Sequence, residues 1–183
     1  MSAQYHDQTD AMDTLLTTPP VPLHRVEIPM NIYHEVNQLI LAYPLTYDSY
    51  ANGLITEEQL RVFCRRAFAK DLHCRYSVRG KVRADMKGQD IFMKRWIFGS
   101  DMDIDCSFVF HNAQPLVVLD YNEERQEVIG RILFTFYGKD KCTGKLLTFS
   151  EDCLVTFRRE ETWKIYAYIV TVDALKSDTK SKL

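Results

Sequence analysis

The sequence predicts an α+β fold: three helices, all before residue 100, packed on a curved, mostly antiparallel sheet. Helical stripes of apolar residues run up to residue 68, two-residue alternation follows from Asp71, and four long strand-like runs lie between residues 105 and 172. An early helical period that gives way to a sustained period of two is the mark of helices laid on a meandering sheet.

Residues 1–28 are polar, then rich in Thr and Pro, and read as a flexible N-terminal arm whose Leu15, Leu16, Val21 and Val26 could dock on the body. From Asn31, read as an N-cap, the stripe Ile32, Val36, Leu39, Ile40, Tyr43, Tyr47 predicts an amphipathic helix that Pro44 should kink or restart. Thr56 to Gln59 has the form of a capping box opening a second helix that buries Leu60, Phe63, Ala67 and Phe68. From Asp71 a strand should turn Leu72, Cys74, Tyr76 and Val78 inward and His73, Arg75, Ser77 and Arg79 outward. A short helix fits residues 89–98, and strands fit 105–120, 127–137, 145–159 and 163–172. Turn chemistry falls at Asn122-Glu123, at Gly138 with Gly144, and at Glu160-Glu161.

The 183 residues suit one domain, taken as 29–175 between the arm and a tail at 176–183. Apolar residues make up 46%, charged residues 26%, and the formal net charge is −2, so nothing calls for nucleic acid or a membrane as partner. Apolar runs fall far short of the ~18 residues of a membrane helix and no signal-peptide pattern opens the chain, which predicts a soluble, non-secreted protein. Five widely spaced cysteines without a C-x-x-C pair read as reduced, mostly buried thiols, with no disulfide framework and no metal site. No glycine-rich phosphate loop appears, and no cofactor is expected.

The element order, with Tyr47-Asp48-Ser49, Phe68-x-x-Asp71, Pro115-Leu-Val-Val-Leu-Asp120 and Trp163-Lys164-Ile165, resembles the SnoaL-like branch of the cone-shaped nuclear-transport-factor-2-like fold over roughly residues 30–175. The resemblance implies an apolar pocket between the helices and the concave sheet. Within the branch, Tyr47-Asp48, Tyr76 and Glu127-Val128-Ile129-Gly130 are similar to scytalone dehydratase. Its two catalytic histidines would fall near Ser107 and Gly138 and its pocket asparagine near Cys153, so that dehydratase chemistry is not expected. The Arg-x-Asp strand motif of limonene-epoxide-hydrolase-like enzymes is also missing from the last four strands.

Asp48 with Tyr47 is the first candidate pair, the carboxylate moving a proton and the phenol holding an oxygen; the plain alternative is an aspartate that caps the next turn. Tyr76 would add a second hydroxyl, or be core. Glu151 shares an apolar row with Leu147, Phe149, Cys153, Val155 and Phe157, where desolvation would raise its pKa; alternatively, a bulge at Ser150-Glu151-Asp152 turns both acids to solvent. Tyr43, Trp96, Arg95, His111, Phe134, Phe136 and Phe149 are candidate substrate-binding residues. Lys94-Arg95 also fits a solvated face, and His111 also fits a structural role. Tyr166 and Tyr168 should share one face, at the pocket mouth or a dimer interface.

The function expected is a cofactor-independent isomerase, cyclase or lyase that transfers protons on an apolar, oxygenated small molecule of a natural-product pathway. The alternatives are a non-catalytic binding member of the fold and an accessory subunit of a larger enzyme. A homodimer through the outer sheet face is expected. Ser181-Lys182-Leu183 reads as a signal for the peroxisomal import receptor, which predicts the peroxisomal matrix.

Overall fold

The computed structural model describes residues 26–98, 106–172 and 176–177. The arm through residue 25 and the residues Ser181, Lys182 and Leu183 lie outside the described residues.

Helix α1 (Met30–Ala51) starts directly after Pro29, one residue before the expected cap, and buries Ile32, Val36, Ile40, Tyr43, Pro44 and Asp48. It runs unbroken through Pro44. Proline removes one backbone donor and disfavours helix, but here its ring is buried against the core, and tertiary packing overrides the local cost. The Thr56 capping box forms as expected and opens α2 (Glu57–Ala67), whose buried positions are Leu60, Cys64 and Ala67.

Strand β1 (Phe68–Val78) starts three residues before Asp71, because the last turn of α2 passes straight into extended backbone at Phe68. A strand that sequence reasoning missed follows: β2 (Lys81–Lys87). Arg79 and Gly80, both at positive φ (50° and 72°), make the tight turn that joins it to β1. Its outward Lys81, Arg83, Asp85 and Lys87 disguise it as loop, while Ala84 and Met86 are buried. Such charged edges protect a sheet from further pairing.

Helix α3 (Gln89–Phe92) widens into a π-type turn over Met93–Ile97. The expected strand 105–120 is two, β3 (Cys106–Ala113) and β4 (Val117–Asn122), which pair in succession with β5 (Glu127–Asp140). The break falls at Pro115, which has no N–H to give a ladder. Gly138 lies inside β5 rather than in a turn, and the β5–β6 turn falls at 141–143. Strands β6 (Leu146–Arg159), β7 (Trp163–Val172) and the short β8 (Lys176–Ser177) complete the sheet.

The strand order is β2-β1-β7-β6-β5-β3, with β4 beside β5 and β8 beside β6. Only the β1–β7 pair is parallel among the described pairings. The helices close the concave face over one apolar core. Cys64, Cys74, Cys106 and Cys153 are buried, Cys142 is exposed, and none of the five is in a disulfide. Among the described residues no helix is long and apolar enough to cross a membrane.

Candidate functional site

The register of β5 and β6 is unbroken from Thr135↔Ser150 through Phe134↔Glu151 to Leu133↔Asp152, so there is no bulge at the acidic pair. Alternation therefore holds Glu151 inside, 5% exposed, and sends Asp152 outside to pair with Arg131. The irregularity lies elsewhere. On β7, Thr156 pairs with Ala167 but Phe157 pairs with Ile165, leaving Tyr166 as the extra residue of a bulge. Tyr166 and Tyr168 consequently do not share a face: Tyr168 is buried, while Tyr166 donates to Glu160 at 2.6 Å.

Helix α1 is fastened to edge strand β3 by side chains that take the place of a neighbouring strand. Asn52 donates to the Val109 carbonyl at 2.7 Å and accepts from the Val109 N–H at 3.1 Å. One turn earlier, Asp48 accepts the His111 N–H at 2.7 Å through one oxygen and meets His111 Nδ1 at 2.6 Å through the other. Both side chains are almost fully buried, at 9% and 10% exposure. A carboxylate only accepts, so in a neutral imidazole held this way Nδ1 carries the proton and Nε2 keeps its lone pair.

A small cavity lies in front of this pair. His111, Glu151, Phe134 and Tyr168 enclose it from the sheet, and Tyr43, Pro44, Tyr47 and Trp96 from the helices. The centre of a water molecule can reach about 20 Å³ of it, room for roughly one water. Trp96 Nε1 donates to the Tyr43 hydroxyl at 3.2 Å, and the Cys153 thiol contacts the Tyr168 hydroxyl at 3.5 Å. Burial raises the pKa of Tyr43 and Tyr168, and pushes Tyr47 up to about 12 with help from Asp48. All three phenols stay protonated at neutral pH and can donate to an oxygen. Burial also raises the Glu151 carboxyl, opposed by His111.

Of the candidates drawn from sequence, Tyr43, Tyr47, Trp96, His111, Phe134 and Glu151 meet at this cavity. Asp48 stands behind His111 with both oxygens engaged. Tyr76 is buried behind Trp96, ring centroids 4.7 Å apart, and does not line the cavity. Phe136 and Phe149 stack on each other at 4.5 Å, and Phe136 packs against the His111 ring at 5.2 Å. Both support the site rather than line it. Arg95 is exposed on the outside of the π-type turn, whose inward positions are Met93, Trp96 and Ile97. Pro44 and Asn52 went unforeseen, and nothing local in the sequence marks either. Among the described residues no group of three or more His, Cys, Asp or Glu could hold a metal ion.

No protein-family model matches the chain, and no curated protein matches it. Solved structures do. A nuclear transport factor 2 (NTF2-like) superfamily protein from Salmonella enterica is similar over 82% of this chain and 97% of its own, with a TM-score of 0.61 and 12% identity. The fold is that of nuclear transport factor 2. Two other solved structures are similar. A protein assigned as a scytalone dehydratase from Novosphingobium aromaticivorans covers 81% of this chain and 88% of its own, TM-score 0.59, identity 13%. The hexachlorocyclohexane dehydrochlorinase LinA-type3 from Novosphingobium barchaimii covers 82% and 92%, TM-score 0.57, identity 10%. At such identities the match establishes the NTF2-like fold and leaves chemistry to the site itself.

Proposed function

We propose that this protein is a cofactor-independent lyase, isomerase or cyclase that transfers protons on an apolar, oxygen-bearing small molecule, with His111 as base and Asp48 as the residue that positions it. The observation that carries the reading is the double attachment of His111 to Asp48, which fixes both backbone and ring and leaves Nε2 as acceptor. The sequence offered Asp48 as the base. With both its oxygens bonded to His111, its part here is to hold the tautomer and to stabilise the imidazolium that forms. Tyr43, Tyr47 and Tyr168 are the donors available to a substrate oxygen. The two neighbours named as a dehydratase and a dehydrochlorinase favour the lyase branch, since both names describe eliminations. A natural-product intermediate as substrate rests on the resemblance to the SnoaL-like branch of the fold.

Deuterium exchange at the carbons beside the carbonyl of a simple ketone, followed by NMR in D2O, tests this: wild type should accelerate it and His111→Ala should not. The rival reading is a binding protein without catalysis. Its support is the fill of the cone by Phe134, Phe136, Phe149 and Phe157, all at most 3% exposed. Saturable ketone binding without exchange would establish it.

We also propose that two copies pair through the outer sheet face. Phe108, Phe110, Leu119, Leu133, Tyr137 and Leu154 are exposed there, by 39% to 51%, more apolar surface than isolated side chains account for. Light scattering at micromolar concentration that returns the chain mass of 21.4 kDa would refute the dimer.

A further inference from the structure

Resting on the proton-transfer reading of the His111 site, we propose that Glu151 is the acid partner of His111: it holds a proton, gives it to the oxygen of a neutral carbonyl compound, and so restricts the site to uncharged substrates. His111 on β3 and Glu151 on β6 flank β5, where their partners are Phe136 and Phe134, and both side chains reach the same cavity. Two strand spacings set the β3 and β6 backbones about 10 Å apart, and the two side chains line one cavity with room for roughly one water, a space on the scale of a carbonyl oxygen.

The surroundings of Glu151 decide its charge state. His111 from β3 and Asp48 from α1 act on it, and Glu151 in turn acts on Tyr47 from α1, Tyr76 from β1, Cys153 from β6 and Tyr168 from β7. Among the described residues no Lys or Arg pairs with Glu151, and nothing hydrogen-bonds it. A carboxyl desolvated in this way is raised above its ordinary value, with His111 opposing the shift, and burial without a counter-charge favours its neutral form.

The same fact selects the substrate. Among the described residues no Lys or Arg lines the cavity, so a carboxylate or phosphate on the ligand would be buried there without a fixed counter-charge, which disfavours its binding. Removal of a proton beside a carbonyl meets the same obstacle, because it creates an enolate. A proton from Glu151 removes that charge as it develops. His111 Nε2 takes the proton from carbon, the C–H electron pair becomes the C=C bond, and the carbonyl oxygen takes the Glu151 proton to become an enol hydroxyl. The site then holds an imidazolium beside Asp48 and a Glu151 carboxylate, with its net charge unchanged. Return of the two protons regenerates the carbonyl and resets both groups.

The test is deuterium exchange into acetone, the smallest ketone, and, as the charged analogue, 4-oxopentanoate. Wild type should exchange the neutral ketone at least tenfold faster than the carboxylate. Glu151→Gln, nearly isosteric with the protonated acid, should keep ketone binding and lower exchange by about a hundredfold. If Glu151→Gln exchanges at the wild-type rate while His111→Ala is inactive, the acid assignment falls and the base assignment stands. If His111→Ala retains exchange, or wild type exchanges neither probe, the proton-transfer reading falls and takes this one with it. Equal or faster exchange of the carboxylate overturns the selection of neutral substrates. A readout independent of activity is 13C NMR of labelled glutamate in wild type: Glu151 should remain protonated at pH 7, and a carboxyl already ionised there overturns the proposal even if Glu151→Gln fails to fold.

Discussion

Asp48→Asn replaces one carboxylate oxygen by an NH2 group and should reverse the polarity of His111. Asp48 accepts two hydrogen bonds, from the His111 N–H at 2.7 Å and from Nδ1 at 2.6 Å. Asparagine has one acceptor. If its carbonyl oxygen keeps the backbone N–H, its amide NH2 faces Nδ1, which must then accept, and the ring proton moves to Nε2. The lone pair that serves as base is lost although the ring need not move. The expected loss in ketone exchange is roughly 10²–10⁴-fold, the range for removal of a general base. The stability cost should be smaller. One bond to a charged acceptor, roughly 1.5–3 kcal/mol, is exchanged for a neutral one of roughly 0.5–1.5 kcal/mol, and removal of a buried charge offsets part of the difference, leaving a net loss of at most about 1.5 kcal/mol. Urea denaturation measures the second quantity, and 15N NMR of the imidazole identifies the tautomer directly. Nδ1 should carry the proton in wild type and Nε2 in Asp48→Asn. Persistence of the Nδ1–H tautomer in the variant, or undiminished exchange, would refute the reasoning.

Glu151 should also leave its mark on stability. Its carboxyl is raised above the ordinary 4.5 by burial, so above pH 4.5 the unfolded chain has lost a proton that the folded chain keeps. That contribution is fully present below pH 4.5 and is lost as pH rises through the folded midpoint, with a slope of up to about 1.4 kcal/mol per pH unit for one proton. Urea titrations of wild type and Glu151→Gln across this window should diverge by that slope, and parallel curves would place Glu151 in water. At Gly138 an added Cβ would stand 2.7 Å from Cys106 Sγ and from the Phe136 ring, which in turn rests on His111. Gly138→Ala should therefore cost about 1–3 kcal/mol in urea denaturation. A cost below about 0.5 kcal/mol would show that Phe136 yields freely. An N-terminal fluorescent fusion should form peroxisomal puncta that disperse when Leu183 is deleted; diffuse signal with Ser181-Lys182-Leu183 intact would end the localisation proposal.

Much of the scaffold can be read from local pattern, because period and capping are properties of neighbouring residues. The stripe from Ile32 to Tyr43, the Thr56 capping box, and the inward rows Val128 to Phe136 and Leu147 to Phe157 needed no long-range information. Alternation alone put Glu151 on an apolar row, and burial then determines its chemistry. What local pattern could not supply is pairing. The Tyr166 bulge exists only because β7 must match β6 on one side and run parallel to β1 on the other, and that mismatch turns Tyr168 into the cavity. The division of β3 from β4 depends on how much of β5 each can cover, with Pro115 at the join. Strand β2 is hidden by its charges until β1 offers it an edge. Above all, Asp48 and His111 stand 63 residues apart, and no spacing rule relates them. Only the docking of α1 along the edge of β3, where helix side chains satisfy backbone groups of that strand, turns a candidate carboxylate and a histidine read as a substrate contact or a structural residue into one functional unit.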